Sequence, residues 1–300
     1  MNWRAMAFRS GVAAVLGKTN VGKSTFINAA VGRKLVIVSD RPQTTRNRIR
    51  CVYTTGEAQA VFVDTPGLHR PVNELSARIV KEAYRALAGV DVLVYLVEPW
   101  GMVDPYDAEV APRLAKLPCP KVLLVNKIDR ARGNALPETL LAYDELGIFD
   151  ELVPISCAKG TGMAEALQVI VDRLPEGEPL FPGGELTDRS FEFMAAEMVR
   201  EKIYQITYQE IPYSVAVVVE QMVERRDKPL VEIHALVYVA RDSQKQIVIG
   251  SGGRKLKEIG QRARQDLEAM LGQQVFLDLK VKVRPRWTDS PVEVARLTGP

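Results

Sequence analysis

The eight residues Gly17-Lys18-Thr19-Asn20-Val21-Gly22-Lys23-Ser24 match G-x-x-x-x-G-K-[ST] in full. They follow the apolar run Val12–Leu16, which reads as a strand, and precede Thr25–Val31, which reads as a helix. That strand–loop–helix context is what a phosphate loop requires. Gly17 and Gly22 let the backbone curl, so that the amides of the loop from Lys18 through Val21, and of Thr25 beyond it, face phosphates at a helix N-terminus. Lys23 is expected to reach the β- and γ-phosphates and Ser24 to ligate Mg²⁺.

The base comes from a second run. In Asn126-Lys127-Ile128-Asp129 a carboxylate can accept from both the ring N–H and the exocyclic amine of guanine, a pairing adenine cannot make, and a nucleotide without those donors leaves Asp129 unpaired. Asn126 and Asp129 are therefore read as selecting GTP, with the Lys127 stem along the base plane. Asp64-Thr65-Pro66-Gly67 follows the strand-like Ala60–Val63; Asp64 would hold Mg²⁺ through water and the Gly67 amide would touch the γ-phosphate, with Leu68 next in line. Between the two, the polar loop Pro42-Gln43-Thr44-Thr45-Arg46 would supply a threonine closing over Mg²⁺, Thr45 in preference to Thr44. Ser156-Cys157-Ala158 would offer a backbone N–H at Cys157 to guanine O6 while the serine buttresses Asp129; a register using Ala158-Lys159 stays open.

Three hundred residues suggest two domains. Up to about residue 174, apolar runs at Val12–Leu16, Ala60–Val63, Asp91–Val97, Lys121–Val125 and Leu152–Ile155 alternate with helical stretches, the pattern of a doubly wound, mainly parallel α/β sheet. The nucleotide motifs all fall just after these strands, at one sheet edge. Residues 8–176 are read as a GTPase domain and the Pro- and Gly-rich 177–189 as a linker. A smaller α+β domain is expected over 190–286, and 287–300 form a C-terminal tail.

The smaller domain reads as a helix over 191–208, strands Tyr213–Val223 and Leu230–Ala240, a short strand Gln246–Ile249, a helix Arg254–Leu271 and a strand Val275–Val283. Ile249-Gly250-Ser251-Gly252-Gly253-Arg254-Lys255 fits the G-x-x-G loop of a KH domain of type II, with Lys257 one turn on; small residues let a nucleic-acid backbone approach. Arg241 to Arg264 carry seven basic residues against two acidic ones, more local charge than the +3 of the whole chain. Lys280, Lys282 and Arg284 alternate along the last strand.

Three cysteines without metal or redox spacing suggest a reducing, cytoplasmic setting, and no apolar run approaches the length that spans a bilayer. A monomer is expected. Any peripheral membrane contact would rest on basic surface.

The order G-K-T-N-V-G-K-S, P-Q-T-T-R, D-T-P-G-L, N-K-I-D, P-I-S and then the second domain resembles the Era family of bacterial ribosome-assembly GTPases over nearly the whole chain. The resemblance implies a GTPase switch whose KH domain binds the 3′ region of small-subunit ribosomal RNA and which assists maturation of the 30S subunit. Ras-like proteins carry a water-orienting glutamine where Leu68 stands, so slow intrinsic hydrolysis is expected. Asn20 is the residue with which similar proteins help hold an activating K⁺; it could equally serve only the turn. Two other readings are a GTPase coupled to RNA modification and an RNA scaffold in which GTP is structural.

Overall fold

The computed structural model describes residues 7–38, 48–70, 80–81, 83–207 and 211–298, which divide into two compact units, one holding 7–36 and 48–188, the other 37–38 and 189–298.

The first unit is a six-stranded sheet in the order β2-β3-β1-β4-β5-β6, formed by β1 (Arg9–Gly17), β2 (Ile49–Thr54), β3 (Ala58–Asp64), β4 (Val92–Val97), β5 (Lys121–Val125) and β6 (Glu151–Pro154). All neighbours are parallel except β2, which runs antiparallel to β3. The central strands are almost wholly buried, as expected of parallel strands with helices on both faces. Helices α1 (Lys23–Val31), α2 (Pro105–Ala115), α3 (Ala135–Asp144) and α4 (Met163–Asp172) supply those layers. On one face Leu16, Leu93, Tyr95, Leu123 and Val125 pack with Val110 and Leu114 of α2. Because β1 lies between β3 and β4, the chain leaves it in opposite directions, and the crevice at the carboxyl end of β1 is the topological switch point where ligands bind in such sheets.

The antiparallel β2 is absent from the sequence reading. So is the way residues 175–188 lie on the sheet. Val52 N donates to the Leu186 carbonyl at 2.9 Å, Cys51 pairs with Thr187, and the Gln59 side chain exchanges hydrogen bonds with the Phe181 backbone at 2.9 and 3.1 Å.

The second unit opens with α5 (Phe191–Ile206), capped by Ser190, and a short α6 (Ile211–Ser214). A three-stranded sheet follows from β7 (Val215–Glu224), β8 (Leu230–Val239) and β9 (Gln274–Val283), with β7 antiparallel and β9 parallel to β8. Between β8 and β9 stand α7 (Asp242–Ile249) and α8 (Arg254–Leu271); α9 (Pro291–Thr298) ends the described chain. Val199, Ile203, Val237, Val248, Ile259 and Ala263 form the core.

One expected element is corrected: Gln246–Ile249 is the end of a helix, not a strand. The Gln244 carboxamide turns back to accept from the Ala240 and Arg241 amides at 2.9 and 3.1 Å, closing a capping box, and the helix buries Gln244 and Val248 one turn apart. The glycine loop therefore joins two helices rather than a strand and a helix.

Candidate functional site

The phosphate loop leaves β1 at Gly17, whose carbonyl accepts from the Leu68 amide at 3.0 Å and from Lys23 Nζ at 3.1 Å. Lys23 Nζ also donates to the Lys18 carbonyl at 2.7 Å. Burial pushes the Lys23 ammonium down to about 8, partly offset by the Asp64 carboxylate, so it is held ready for a compensating anion. At Gly22 φ is 104°, and a Cβ there would sit 2.2 Å from Asn126 Nδ2. A Cβ on Gly67 would lie 2.7 Å from Thr19 Cγ2, so the D-T-P-G turn meets the phosphate loop in a contact only glycine permits. The first turn of α1 aims the amides of Lys23, Ser24 and Thr25 at the same place.

Ser24 Oγ donates to Asp64 Oδ2 at 3.0 Å. A hydroxyl beside a carboxylate is the sparse, hard oxygen set that Mg²⁺ accepts when phosphates and water complete its shell. Thr65 Oγ1 anchors the turn by donating to the Val15 carbonyl at 2.6 Å, and Pro66 is buried beside it. The Leu68 side chain is fully buried in the core, so only its backbone faces the site. Thr45, with Thr44 and the rest of 42–46, lies outside the described residues.

On the base side Asn126 is buried and works as a brace: Nδ2 donates to the Val21 carbonyl at 2.8 Å and Oδ1 accepts from the Cys157 amide at 3.1 Å. This differs from the sequence reading at Cys157, whose N–H is taken by Asn126 rather than offered outward; the neighbouring Ala158 amide carries no such bond to Asn126. The Cys157 thiol is pushed up to about 12 by burial and is no nucleophile. Ser156 Oγ donates to Asp129 Oδ1 at 2.5 Å, and this bond holds the exposed Asp129 carboxyl below its usual range. Lys127 takes a left-handed φ of 64°, unusual for a lysine, while its Nζ donates to the Asn20 carbonyl at 2.7 Å and pairs with Glu98. Asn20 is also left-handed, at φ 66°, a conformation asparagine tolerates well.

Sequence reasoning passed over Glu98, Asp104 and Tyr106. His69 is half-buried with Nδ1 2.9 Å from the Gly67 carbonyl.

In the second unit the glycine loop folds as a tight turn over Ser251–Gly253, and Arg254 Nε donates back to the Ser251 carbonyl at 3.3 Å. A Cβ on Gly250 would strike Lys255 Cγ at 2.8 Å. From Gly253 a cavity of about 730 Å³ runs between α8 and β9, lined by Leu256, Gly260, Leu277 and Leu279 and rimmed by Lys257 and Arg264. Phe276, half-exposed, stands at its lip. Ile249 packs toward the core and does not line this groove. His234 on β8 meets Asp278 at 3.2 Å.

A guanine-selecting phosphate-loop GTPase fold, followed by a KH fold with a basic-rimmed groove, is the class this arrangement defines. Family models described as "50S ribosome-binding GTPase" and "KH domain" match residues 12–127 and 210–288. GTPase Era of Thermotoga maritima is 46% identical over 98% of each chain, and that of Clostridioides difficile 44% identical over 93% of this chain and 95% of its own. The chain belongs to the Era family, and it is a GTPase. A variant Era from Aquifex aeolicus bound to GDP·AlF4⁻ superposes with TM-score 0.90 at 38% identity, covering 97% of this chain and 99% of that one. An Era in complex with MgGDPNP and nucleotides 1506–1542 of 16S ribosomal RNA gives 0.89 at the same identity and coverage.

Proposed function

We propose that this GTPase binds the 3′ region of 16S ribosomal RNA in the groove between α8 and β9, and that its nucleotide state governs that binding during maturation of the small ribosomal subunit. The observation that carries the reading is the groove itself: an apolar floor under a cavity of about 730 Å³, a glycine turn at one end and a basic rim. The related Era bound to 16S nucleotides supports the choice of RNA. Gly250, Ser251, Gly252 and Gly253 would face the RNA backbone, with Arg254, Lys255 and Lys257 on phosphates; Ile249 would act from behind, by holding the loop on the core.

In the nucleotide site the loop amides from Lys18 to Ser24 would cradle the phosphates, and Lys23 would leave the Gly17 and Lys18 carbonyls for the β- and γ-phosphates, gaining back its full charge. Gly67 would donate its amide to the γ-phosphate and release it after hydrolysis. Ser24 and Asp64, with Thr45, would hold Mg²⁺, which neutralises charge developing on the phosphate oxygens. Asp129 would read guanine, kept in place by Ser156. With Leu68 buried in the core, no side chain at that position orients water, so turnover depends on help from elsewhere. Asn20 would help to seat K⁺ in that role; equal turnover in K⁺ and Na⁺ at matched ionic strength would leave Asn20 with its turn alone.

We place the protein in the cytoplasm as a monomer; among the described residues no helix is long and apolar enough to cross a membrane, and any contact with a membrane surface would use basic side chains. The test is to load the protein with a non-hydrolysable GTP analogue or with GDP, crosslink it to total cellular RNA and sequence what is retained. Enrichment of the 16S 3′ region with the analogue alone supports the switch. Equal retention in both states favours the scaffold reading, to which the buried Leu68 lends weight.

A further inference from the structure

One short stretch after β4 reaches all three nucleotide motifs. At its start the Glu98 carboxylate pairs with Lys127 of the base-reading run. Six residues on, Asp104 Oδ2 accepts from Lys18 Nζ of the phosphate loop at 2.5 Å. Tyr106, in the first turn of α2, donates its hydroxyl to the His69 carbonyl at 3.1 Å, just beyond Gly67.

The stretch is itself firmly seated. Gly101 N donates to Thr139 Oγ1 at 2.7 Å and Asp104 N to the Tyr143 hydroxyl at 3.3 Å. Below them the buried Asp107 carboxylate accepts from Tyr95 and Tyr143 at 2.7 and 2.6 Å. Asp104 caps α2 by accepting from the Tyr106 amide at 2.8 Å, so the groups that hold Lys18 and His69 belong to one rigid turn. Burial pushes the Asp104 carboxyl up, but the bonds from Lys18 and the Tyr106 amide outweigh it and keep the group ionised.

We propose that Glu98, Asp104 and Tyr106 are positioning residues for GTP hydrolysis, a strap that keeps the base-reading lysine, the phosphate loop and the segment after Gly67 in mutual register. The proposal rests on the GTPase activity of the family. Lys18 is the lever on the phosphate side: its carbonyl holds Lys23 Nζ, and its backbone bridges to Leu68. Moving Lys18 therefore moves both the phosphate-binding lysine and the Leu68 backbone that follows Gly67. Half-exposed ion pairs of this kind add little to stability, so their effect lies in geometry. Glu98 acts on the other side, where it leaves Lys127 of the base-reading run pinned between two partners.

The two sides separate in kinetics. Asp104→Asn keeps the helix cap but loses the charge, and Tyr106→Phe loses one hydroxyl; each should lower kcat about tenfold with KM within about twofold, because misplacement of reacting groups acts on the chemical step. Glu98→Gln should instead raise KM about fivefold with kcat nearly unchanged, as expected when binding common to ground and transition states is lost. Lys18→Met, which removes the same ion pair from the other side and leaves the helix cap in place, should lower kcat by a similar factor, and the Lys18→Met, Asp104→Asn double variant should lose no more than either alone. Wild-type kcat in Asp104→Asn and Tyr106→Phe, or kcat losses that merely follow a lowered Tm, would overturn the strap. Absence of turnover in the wild type would instead strike the GTPase reading.

Discussion

Asn126 and Val21 are tied across the crevice by a hydrogen bond of 2.8 Å, from the amide of one to the carbonyl of the other. The same side chain accepts from Cys157, so one buried asparagine fastens the phosphate loop to the loop after β6. Asn126→Ala should weaken GTP and GDP by a common factor, on the order of 10-fold to 100-fold for two lost bonds, without changing base choice. Titration of both nucleotides by calorimetry measures it; a loss for one nucleotide alone would contradict a purely bracing role.

Base choice belongs to Asp129. Asp129→Asn replaces an acceptor pair with one acceptor and one donor, which suits xanthine, whose 2-position is a carbonyl. GTP affinity should drop by about 100-fold or more while a xanthosine nucleotide gains, since the new side-chain N–H meets a guanine N–H donor and leaves it unpaired, whereas xanthine offers an acceptor there. Competition binding with the two nucleotides decides it.

Lys23 sets a pH dependence. Its ammonium titrates at about 8 in the free protein against an ordinary 10.5, and phosphates favour the protonated form. GTP affinity should be flat below pH 8 and fall by about tenfold per pH unit above it, the slope of a single linked proton. The stability of the free protein runs the other way. Below pH 8 the folded state carries the full penalty of a buried cation; between 8 and 10.5 the unfolded chain binds more protons, so Lys23 adds stability as pH rises through that window. Lys23→Met should remove both dependences.

The groove predicts a stability gain coupled to a binding loss. Gly260 stands inside α8, where alanine is more stable by about 1 kcal/mol, and an added Cβ would meet only Leu279 Cδ1 at 3.6 Å, an ordinary contact. Gly260→Ala should raise Tm by a few degrees and weaken RNA severalfold by narrowing the groove. Gly252→Asp, where a Cβ meets nothing within 4 Å, should weaken RNA by charge repulsion and leave GTP turnover intact. Full RNA affinity in both variants would move the RNA site elsewhere.

Tyr143→Phe should destabilise the GTPase unit by about 1–3 kcal/mol, because Asp107 Oδ2 loses its donor and the Asp104 amide its acceptor. Burial already raises the Asp107 carboxyl, with the two tyrosine hydroxyls opposing it; removing one lets it rise further. A carboxyl raised in the folded state is neutral at low pH and loses stability as it ionises, so the destabilisation should be smaller at pH 5 than at pH 8 in denaturant titrations.

The phosphate loop, the base-reading run and α8 were legible because their signals are local: fixed spacing in the first two, and in α8 glycines that bound the helix at both ends. Gln246–Ile249 misled because three β-branched residues in a row favour strands, while the deciding capping bond from Gln244 depends on a backbone turn that residue counting misses. β2 went unread because Ile49–Thr54 is a sheet edge with Arg50 and Thr54 exposed, lacking the apolar run of its neighbours. The bracing role of Asn126 and the strap from Glu98 to Tyr106 are long-range contacts, set by topology rather than by spacing.

Residues 177–189 read as a linker from their prolines and glycines, yet within them 181–188 lie along β2 and its neighbour. Asp188 Oδ1 accepts from the Arg50 amide at 3.1 Å and Leu186 accepts from Val52 at 2.9 Å. A β-strand at the margin of a sheet is a template on which other chains can add strands. The protein thus occupies its own vulnerable margin with the tail of the same unit. A GTPase unit cut at Glu176 would bare that margin to self-association, whereas one ending at Asp188 keeps its guard against aggregation.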